Sequence, residues 1–388
     1  MSLQDTIKLA IIGMGNMGCQ YAQMVTDGRV QGFELAAVTR IKPEKKEALK
    51  DVFTKDIPIY QSADELFADI REEKLALDAV IIATPHREHA KQVIEAMQLG
   101  LHVLCDKPSG ICSREARKMQ EEAARHKELV FAMMFNQRMN PLYQKMKEMV
   151  EKEIYGKLKR VNWVMTDWYR PDAYYDSVSW RGTWELDGGG ILLNQCPHNL
   201  DLLQWICGMP ERVQAFCHEG KYHQIEVEDE VTAYMEFANG ATGMFYATTG
   251  EAPGMNRLEL SFEDALLVCE CGELRVCELG FHEPDYRRTA TEQFAKLEGT
   301  WKKLSYEGEN LQHVGILRNF EAAVRKREPL FVEGKEGRKS LLLSNIMYLS
   351  SWQKKMIELP QTVEEEKKLE KAFEVEYMRK KDSKNCPH

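Results

Sequence analysis

Three side chains able to take part in proton transfer or hydrogen bonding lie close together near the middle of the chain. They are Asn194, His198 and Asp201, within GGGILLNQCPHNLDLLQW at residues 188–205. At spacings i, i+4 and i+7 they share one face of a helix, either a solvated polar face or a functional one. Histidine, with an unperturbed pKa of about 6.5, suits general acid–base work. Pro197 predicts a kink, or a new helix beginning near His198.

A glycine motif near the N-terminus has the spacing of a phosphate-binding turn. GMGNMG at residues 13–18 follows the apolar strand pattern IKLAIIG and opens a helix pattern. In this context the first glycine permits the turn, the second admits a pyrophosphate, and the third lets helix and strand pack closely. The helix N-terminus then faces the phosphate charge, and the alternative is a purely structural turn. The predicted cofactor contacts here are Gly13, Gly15, Asn16, Met17 and Gly18.

The end of the second predicted strand indicates which dinucleotide binds. NAD sites usually carry Asp or Glu there, but this chain reads AAVTRIKPEKK, with no carboxylate before Glu44. The residues at this position are Thr39, Arg40 and Lys42. The Arg40 guanidinium can stack on adenine and pair with a 2′-phosphate, and Lys42 adds charge. The sequence predicts NADP as the preferred cofactor, and NAD remains the alternative if Arg40 is simply exposed.

Two more motifs end neighbouring strand patterns, ATPHREHA at 83–90 and CDKPSG at 105–110. Ligands of an open parallel sheet bind beyond the carboxyl ends of its strands, so both motifs are predicted at the cofactor crevice. Lys107 is the only lysine that these strand ends project, and its alternative is a surface lysine at a turn. Thr84 and Pro85 are predicted cofactor contacts. For His86, His89 and Gln137 the choice between a structural and a cofactor-side role stays open.

Strand and helix patterns alternate over the first third of the chain, which predicts a doubly wound parallel sheet. Beyond about residue 136 longer strand patterns follow, of which HEPDYRR (282–288) is the last. Asn-Gly at 239–240, between alternating apolar runs, predicts a hairpin. The predicted fold is α/β, with an N-terminal Rossmann-type parallel sheet and a C-terminal α/β domain that has a large, mostly antiparallel open sheet. Helices are predicted at 141–153, 190–207, 315–328 and 337–355, and the predicted domains are 1–136, 137–362 and a charged helical or disordered tail at 363–388.

Composition and charge exclude several classes of partner. The 388 residues carry a formal net charge of −9, which argues against nucleic acid and anionic membranes as main partners. No apolar run approaches the roughly 20 residues that span a bilayer, and the expected location is the cytoplasm. The ten cysteines are expected as free thiols. CECGELRVC lacks the Cys-x-x-Cys spacing of zinc sites, so no metal is predicted.

The motifs quoted above, with MMFNQRMNP at 133–141, resemble in their order the Gfo/Idh/MocA oxidoreductases, a family whose members resemble glucose–fructose oxidoreductase and inositol dehydrogenase. The resemblance covers nearly the whole chain, including EDEVTAYMEFANGATG and GILRNFEAAVRKREPLFVEGKEG. It implies a lysine beside the nicotinamide, matching Lys107, and a histidine that acts on the substrate hydroxyl, matching His198. Asn194 stands where many members have Asp, and Asp106 where Glu is usual.

The resemblance implies hydride transfer between a nicotinamide and a secondary hydroxyl or ketone of a sugar, inositol or glycoside. His198 is the expected general acid–base. Lys107 either stabilises the developing alkoxide or, if burial lowers its pKa, acts as the base. Asn194 cannot ionise, so it is expected to hydrogen-bond the substrate or His198. Asp201 is also a predicted substrate contact.

The segment DWYRPDAYYDSVSWRGTWELD (167–187) is rich in aromatic residues and arginine, which predicts a lid or a platform for a sugar; a packed loop is the alternative. The resemblance places Trp180 and Arg181 near the junction of cofactor and substrate, and Tyr169 and Arg170 are further substrate candidates. Two other functions stay open: an enzyme that retains its nucleotide, and a nucleotide-sensing regulatory protein. The broad sheet and the resemblance favour a homodimer or homotetramer.

Overall fold

The structure is a computed structural model that describes residues 6–40 and 57–383. The segment PEKKEALKDVF (43–53), whose pattern predicts a helix, and Lys42 lie outside the described residues. The chain forms two compact units. The first contains the chain up to Met139 together with Asn310–Leu341, and the second contains Asn140–Glu309 and the chain from Leu342 onward. The predicted domains, 1–136 and 137–362, are consecutive in sequence. In the structure the later segment Asn310–Leu341 belongs to the first unit.

The first unit contains a six-stranded sheet in the order β3-β2-β1-β4-β5-β6, with every neighbouring pair parallel. The central strand β4 is a fully buried apolar run, AVII, as expected for a sheet covered on both faces. This confirms the predicted doubly wound arrangement. The strands are β1 (Ile7–Ile12), β2 (Phe33–Thr39), β3 (Ile59–Tyr60), β4 (Ala79–Ile82), β5 (His102–Cys105) and β6 (Phe131–Met133).

The second unit contains a nine-stranded sheet in the order β14-β13-β12-β11-β7-β10-β9-β8-β15, in which β7 and β10 pair parallel and the other neighbours antiparallel. The mostly antiparallel sheet was predicted, and the Asn239–Gly240 turn does join the β9–β10 hairpin. The strands are β7 (Leu158–Met165), β8 (Arg212–Glu219), β9 (Glu228–Glu236), β10 (Thr242–Thr248), β11 (Asn256–Phe262), β12 (Ala265–Glu270), β13 (Glu273–Glu278), β14 (Thr300–Leu304) and β15 (Ile357–Glu358).

The helices begin and end close to the predicted positions. Ser62 caps its helix, because its hydroxyl accepts a hydrogen bond from Glu65 N–H. The helices are α1 (Asn16–Thr26), α2 (Ala63–Arg71), α3 (His86–Gln98), α4 (Ser113–Ala123), α5 (Pro141–Glu151), α6 (Asp172–Asp176), α7 (Ile191–Asn194), α8 (Pro197–Cys207), α9 (Glu283–Thr289), α10 (Gln312–Val324), α11 (Gly337–Gln353) and α12 (Val363–Ser383).

The strand predicted at HEPDYRR is wrong, because this segment forms α9. Pro284 lies in the first turn, where a missing N–H costs nothing. Acidic residues occupy the first turn and Arg287 and Arg288 the last, so both ends complement the helix dipole. These end signals outweigh the short alternating pattern.

The C-terminal segment is the helix α12, but its expected solvated character is only partly observed. Phe373 and Tyr377 are buried, and their rings lie 5.7 Å apart. The Tyr377 ring also meets Trp184 edge-on, and its hydroxyl donates a hydrogen bond to the Trp184 carbonyl. One face of a strongly charged helix therefore belongs to the core of the second unit.

Candidate active site

The glycine turn before α1 shows three different environments. Gly13 has φ +96°, and a Cβ there would lie 2.7 Å from the carbonyl oxygen of Ala83. A Cβ on Gly18 would lie 2.0 Å from the carbonyl oxygen of Gly13. A Cβ on Gly15, by contrast, would meet nothing within 4 Å, and no described side chain caps α1. The first and third glycines are needed for packing, and the second leaves open the approach that a pyrophosphate needs, so the turn fits a dinucleotide.

The residues at the end of β2 have two distinct roles. Thr39 is fully buried, and its hydroxyl accepts a hydrogen bond of 3.0 Å from Gly13 N–H. Its carbonyl oxygen accepts a second from Met14 N–H at 3.1 Å, so Thr39 braces the glycine turn. Arg40 follows at φ +54° with an exposed side chain. The guanidinium is therefore accessible from solvent at the end of this strand.

His89 joins the two motifs that follow β4 and β5. Its Nδ1 lies 2.7 Å from the carbonyl oxygen of Pro108, and its Nε2 lies 2.8 Å from that of Thr84. Burial lowers the pKa of His89, and the hydrogen bond to Pro108 opposes that shift. The ring thus has structural contacts on both nitrogens. His86, one turn earlier, begins α3 with Pro85 at its N-cap.

Lys107 lies half-buried just beyond β5, as the parallel-sheet prediction requires. Its backbone N–H donates to Asp106 Oδ1 at 2.8 Å, so the aspartate at the usual glutamate position fixes the backbone of the lysine. Two residues that the sequence analysis did not single out lie close to this pair, Tyr21 and His313, whose ring centres are 5.8 Å apart.

The pKa shifts of Tyr21 and His313 indicate that both side chains lie near Asp106. Burial lowers the pKa of His313, an effect that Asp106 opposes and Lys107 increases. Burial and the Asp106 charge raise the pKa of Tyr21 well above its usual value. Tyr21 lies one turn inside the helix of the glycine motif. His313 is 206 residues from Lys107 in sequence, and no local signal links the two.

Gln137 is contacted by the segment Asn310–Leu341, which also carries His313. Gln312 Oε1 accepts a hydrogen bond from Asn136 Nδ2 at 2.5 Å, and Gln312 Nε2 lies 3.5 Å from Gln137 Oε1. Through these contacts, Gln312 of the segment Asn310–Leu341 holds Asn136 and Gln137 within the first unit. They support a structural role for Gln137.

In the second unit, the helix predicted at 190–207 is interrupted as Pro197 suggested. The short helix α7 ends at Asn194, and α8 begins at Pro197. His198 therefore lies in the first turn of a new helix and is half-buried. The prediction of one helical face for all three polar residues is wrong for Asn194, because two separate helices carry them.

Asp201 is only 1% exposed, and its Oδ1 accepts a hydrogen bond from Gln204, so this structure gives a substrate no access to it.

The Asn194 amide is oriented by three acceptors. Its Nδ2 lies 3.0 Å from Asp187 Oδ1, 3.2 Å from the Gly189 carbonyl oxygen and 3.3 Å from that of Gly190. All three neighbours are oxygens, so the amide nitrogen must face them and Oδ1 must point away. The buried Asp187 also accepts a hydrogen bond from Gly182 N–H. A carboxylate thus lies beside position 194, although position 194 itself is an amide.

Glu228, which the sequence analysis missed, holds the start of α7. Its carboxyl group accepts hydrogen bonds from Gly190 N–H at 3.0 Å, Leu192 N–H at 2.9 Å and the Tyr348 hydroxyl at 2.6 Å. Burial raises the pKa of Glu228 to about 8, although all three donors lower it. The group positions the backbone from which Asn194 projects.

The next residue along β9, Asp229, organises a different loop. It accepts hydrogen bonds from the backbone N–H groups of residues 221–223 and from His223 Nδ1 at 2.9 Å. His223 Nε2 lies 2.8 Å from the carbonyl oxygen of Arg170. This buried pair therefore fixes the backbone of the aromatic and arginine-rich segment.

That segment forms a cluster around Tyr174. The guanidinium carbons of Arg170 and Arg181 lie 4.8 Å and 4.0 Å from the centre of the Tyr174 ring. The same two guanidinium groups also lie over Trp168 and Trp180. Tyr169, by contrast, is half exposed. The predicted alternatives were a sugar platform and a packed loop, and the stacked rings and cations are compatible with either.

Some other chemistries have no support in the part of the chain that the structure describes. No cluster of three or more His, Cys, Asp or Glu side chains there is arranged to hold a metal ion. The nine cysteines within those ranges form no disulfide bond. No helix among these residues has the length and apolar character to cross a bilayer.

Comparison with known families shows the class of protein. Residues 7–134 match the profile of an oxidoreductase family with an NAD-binding Rossmann fold. Residues 143–268 match the GFO/IDH/MocA C-terminal domain, and the two matches together cover about two thirds of the chain. The chain belongs to the GFO/IDH/MocA family, which confirms the resemblance drawn from its motifs.

Individual relatives are distant. Levoglucosan dehydrogenase from Pseudarthrobacter phenanthrenivorans is 28% identical over 48% of this chain and 53% of that protein. The chain thus spans about half the length of this curated relative, and 60% of an uncharacterized oxidoreductase from Streptococcus pneumoniae. Myo-inositol 2-dehydrogenase from Thermotoga maritima is 22% identical over 92% of this chain and all of that protein. Among solved structures, the WlbA dehydrogenase from Chromobacterium violaceum, in complex with NADH and UDP-GlcNAcA, superimposes with a TM-score of 0.76 at 26% identity. The match covers 93% of this chain and 98% of the WlbA chain.

Proposed function

We propose that the protein is a dehydrogenase or reductase that interconverts a secondary hydroxyl and a ketone on a sugar, inositol or glycoside. The observation that carries the proposal is the open helix N-terminus at Gly15, in a chain whose family has an NAD-binding Rossmann fold. Relatives named as levoglucosan and inositol dehydrogenases support the substrate class. A panel of sugars, inositols and glycosides, assayed for reduced nicotinamide, tests it. Nucleotide binding without turnover of any panel member would contradict it.

The roles of the protein's own groups follow from their chemistry. A bound nicotinamide would accept or donate the hydride. His198 takes the proton from the substrate hydroxyl, or returns it in reduction, because an imidazole exchanges protons near neutral pH. The Lys107 ammonium group hydrogen-bonds the reacting oxygen and stabilises its developing negative charge. Asn194 presents Oδ1 as an acceptor, since Asp187 and two carbonyl oxygens hold its Nδ2.

Replacement of His198 tests the assignment of the acid–base group. His198→Ala is expected to reduce kcat by roughly 10²-fold or more, because positioned proton transfer contributes about that much. His282→Ala is the matched control, since His282 is an exposed histidine of the same unit that pairs with Asp264. Equal turnover by His198→Ala and the control would remove His198 from the mechanism.

We propose NADP as the preferred cofactor, with Arg40 binding the 2′-phosphate. The exposed guanidinium at the end of β2 supports this. Arg40→Gln is expected to raise KM for NADP⁺ at least about tenfold while changing KM for NAD⁺ little, because it removes one charge-assisted pair. A wild-type protein that clearly prefers NAD⁺ would contradict the assignment.

We also propose that the protein is a homo-oligomer that associates through the open face of the large sheet. Tyr234 and Met244 are cross-strand partners on that face, with 37% and 49% exposure. Large exposed apolar groups on a sheet favour association with a second surface. The double variant Tyr234→Glu, Met244→Glu is expected to be monomeric in light scattering. A monomeric wild-type protein would contradict the proposal.

A further inference from the structure

Two arginines in the second unit, Arg170 and Arg181, have no acidic partner among the described residues, whereas several other arginines do. Arg138 pairs with Glu336, and Arg257 pairs with Glu259 and Glu270. Arg170 and Arg181, in contrast, form no ion pair with an Asp or Glu of their described unit. Their Nε atoms are buried and make no hydrogen bond with the described residues. Their positive charges are therefore not neutralised by carboxylates in their surroundings.

Most hydrogen-bond donors of these two groups are also unused. A guanidinium carries five N–H donors in a planar fork. Arg170 uses Nη1 to reach the Tyr169 carbonyl oxygen at 3.1 Å, and Arg181 makes no side-chain hydrogen bond to the described residues. What holds both groups is stacking on Tyr174. Stacking leaves the N–H edges of a guanidinium available for an acceptor in the plane of the group.

The two cations lie near each other. Their guanidinium carbons are 4.8 Å and 4.0 Å from one ring centre, so they are separated by roughly 9 Å or less. An anion with two or three oxygens can accept hydrogen bonds from both across such a distance. Like charges this close repel each other, and an anion bound between them removes that repulsion.

The cluster is connected to the residues assigned to catalysis. Gln195 Nε2 lies 3.4 Å from the Tyr174 hydroxyl, and Gln195 follows Asn194 directly. Gly182, next to Arg181, donates its N–H to Asp187 Oδ2, and Asp187 Oδ1 accepts from Asn194. Both arginines are thus tied to the junction of α7 and α8, where His198 begins its helix.

We propose that the Arg170–Tyr174–Arg181 cluster binds an anionic group of the substrate, either a carboxylate or a phosphate carried by the sugar. The proposal rests on the proposed function and narrows it from sugars and polyols in general to acidic ones. Hydroxyl groups alone would leave two cations without a counter-charge. A carboxylate or phosphate supplies the planar or tripod acceptor that the guanidinium fork matches.

The test compares matched neutral and acidic probes. Glucose, glucuronate and glucose 6-phosphate are titrated into the nucleotide-bound protein by calorimetry, so the two acids distinguish a carboxylate from a phosphate. At least one acid is expected to bind ten times more tightly than glucose or better. Its affinity is expected to fall as NaCl is raised, since salt screens exposed charges.

Variants of the two arginines test whether their guanidinium groups bind the acidic probe. Arg181→Gln and Arg170→Gln are each expected to weaken binding of the acid at least tenfold and to weaken binding of glucose much less. Arg181→Lys, which keeps the charge without the fork, should lie between wild type and Arg181→Gln. Arg212→Gln is the control, because Arg212 pairs with Glu236 on the large sheet. This variant should bind the acid as tightly as wild type.

The outcomes separate this inference from the proposed function. Binding of glucose as tight as that of both acids, no binding of either acid, or acid binding unchanged in Arg181→Gln overturns the anionic site. Failure of the proposed function has a different signature. In that case the acid still binds through Arg181, but no probe yields reduced nicotinamide.

Discussion

Within the described residues, a glycine is the N-cap of one helix in each unit, and the space beside these two glycines differs. A Cβ on Gly15, the N-cap of α1, would meet no atom within 4 Å. A Cβ on Gly190, the N-cap of α7, would lie 1.9 Å from the Glu228 carbonyl oxygen. The Glu228 carboxyl group also accepts hydrogen bonds from the backbone there. The first turn is open to a ligand, whereas the second is closed by the protein itself.

The difference shows that a glycine-rich helix start does not by itself indicate a ligand. Exposed N–H groups at the start of a helix favour a negative charge, whatever its source. At Gly15 the charge must come from outside the described residues, and a pyrophosphate fits. At Gly190 the backbone N–H group instead donates a hydrogen bond to the carboxyl group of a glutamate 38 residues away in sequence. The closed turn does not bind an anion from solution but fixes Asn194.

Gly190→Ala is expected to have the largest effect on stability. The new Cβ would overlap the backbone carbonyl oxygen of Glu228, which cannot rotate away as the end of a side chain can. We expect a loss of about 3 kcal/mol in the free energy of unfolding, at the upper end of overpacking effects. Urea unfolding followed by circular dichroism measures it. An unchanged midpoint would show that the turn is not closed in solution.

Glu228→Gln tests whether the group that closes the second turn titrates. Burial raises the pKa of Glu228 to about 8, above the value of about 4.3 for a free glutamate. The folded state then holds the proton more tightly, so this group makes the wild type less stable as pH rises from about 5 to about 8. Glutamine cannot ionise, so its stability relative to wild type should rise by about 2 kcal/mol over the roughly 1.5 pH units between pH 6 and 7.5, given about 1.4 kcal/mol per unit.

The control for that titration is an exposed glutamate. Glu273 pairs with Lys303, which holds the pKa of Glu273 below its usual value. Glu273→Gln should therefore leave the pH dependence between 5 and 8 as in wild type. Parallel stability curves for Glu228→Gln and wild type would mean that the three donors keep Glu228 ionised throughout.

The parts of the fold and site that could be predicted depend on signals within a few residues. The Gly13–Gly18 turn, the break at Pro197 and the Asn239–Gly240 hairpin each follow from local backbone preferences, and the structure confirms all three. At HEPDYRR two local signals conflicted, and the helix-end charges outweighed the strand pattern. The catalytic and binding roles of the predicted residues stay predictions.

The parts that could not be predicted depend on contacts between distant segments. Glu228 and Asp187 lie within quoted segments, but no local pattern singles out either side chain, and each acts on Asn194 through the tertiary structure. His313 reaches the neighbourhood of Lys107 because the chain returns to the first unit. An acidic residue in a strand pattern looks like a solvated position, and only its burial shows that it organises a loop.

Asn194→Asp tests whether the closed turn requires an amide at this position. The substitution would replace the donor that faces Asp187 and the carbonyl oxygens of Gly189 and Gly190 with an oxygen. Two carboxyl groups in contact cannot both ionise easily, so the pKa of one is raised. The free energy of unfolding of Asn194→Asp should therefore fall as pH rises from 5 to 8. A pKa raised by one unit within that range corresponds to a loss of about 1.4 kcal/mol.

The matched control is Asn239→Asp in the β9–β10 turn. Asn239 uses its side-chain oxygen to accept a hydrogen bond from Ala241 N–H, and an aspartate keeps that acceptor. Its stability should follow wild type at every pH. If Asn194→Asp also follows wild type, the amide of Asn194 is not held by the turn as the structure indicates.

Gly15→Ala is expected to have the smallest effect on the fold and completes the contrast with Gly190→Ala. The φ of Gly15 is −71°, which alanine adopts readily, and its Cβ meets open space. The free energy of unfolding without nucleotide should change by less than about 0.5 kcal/mol. The affinity for NADP⁺ or NAD⁺, measured by calorimetry, should fall about tenfold or more, because the methyl group occupies the approach of the pyrophosphate. A large loss of stability with unchanged nucleotide affinity would reverse the contrast, since it would make the first turn a packing element like the second.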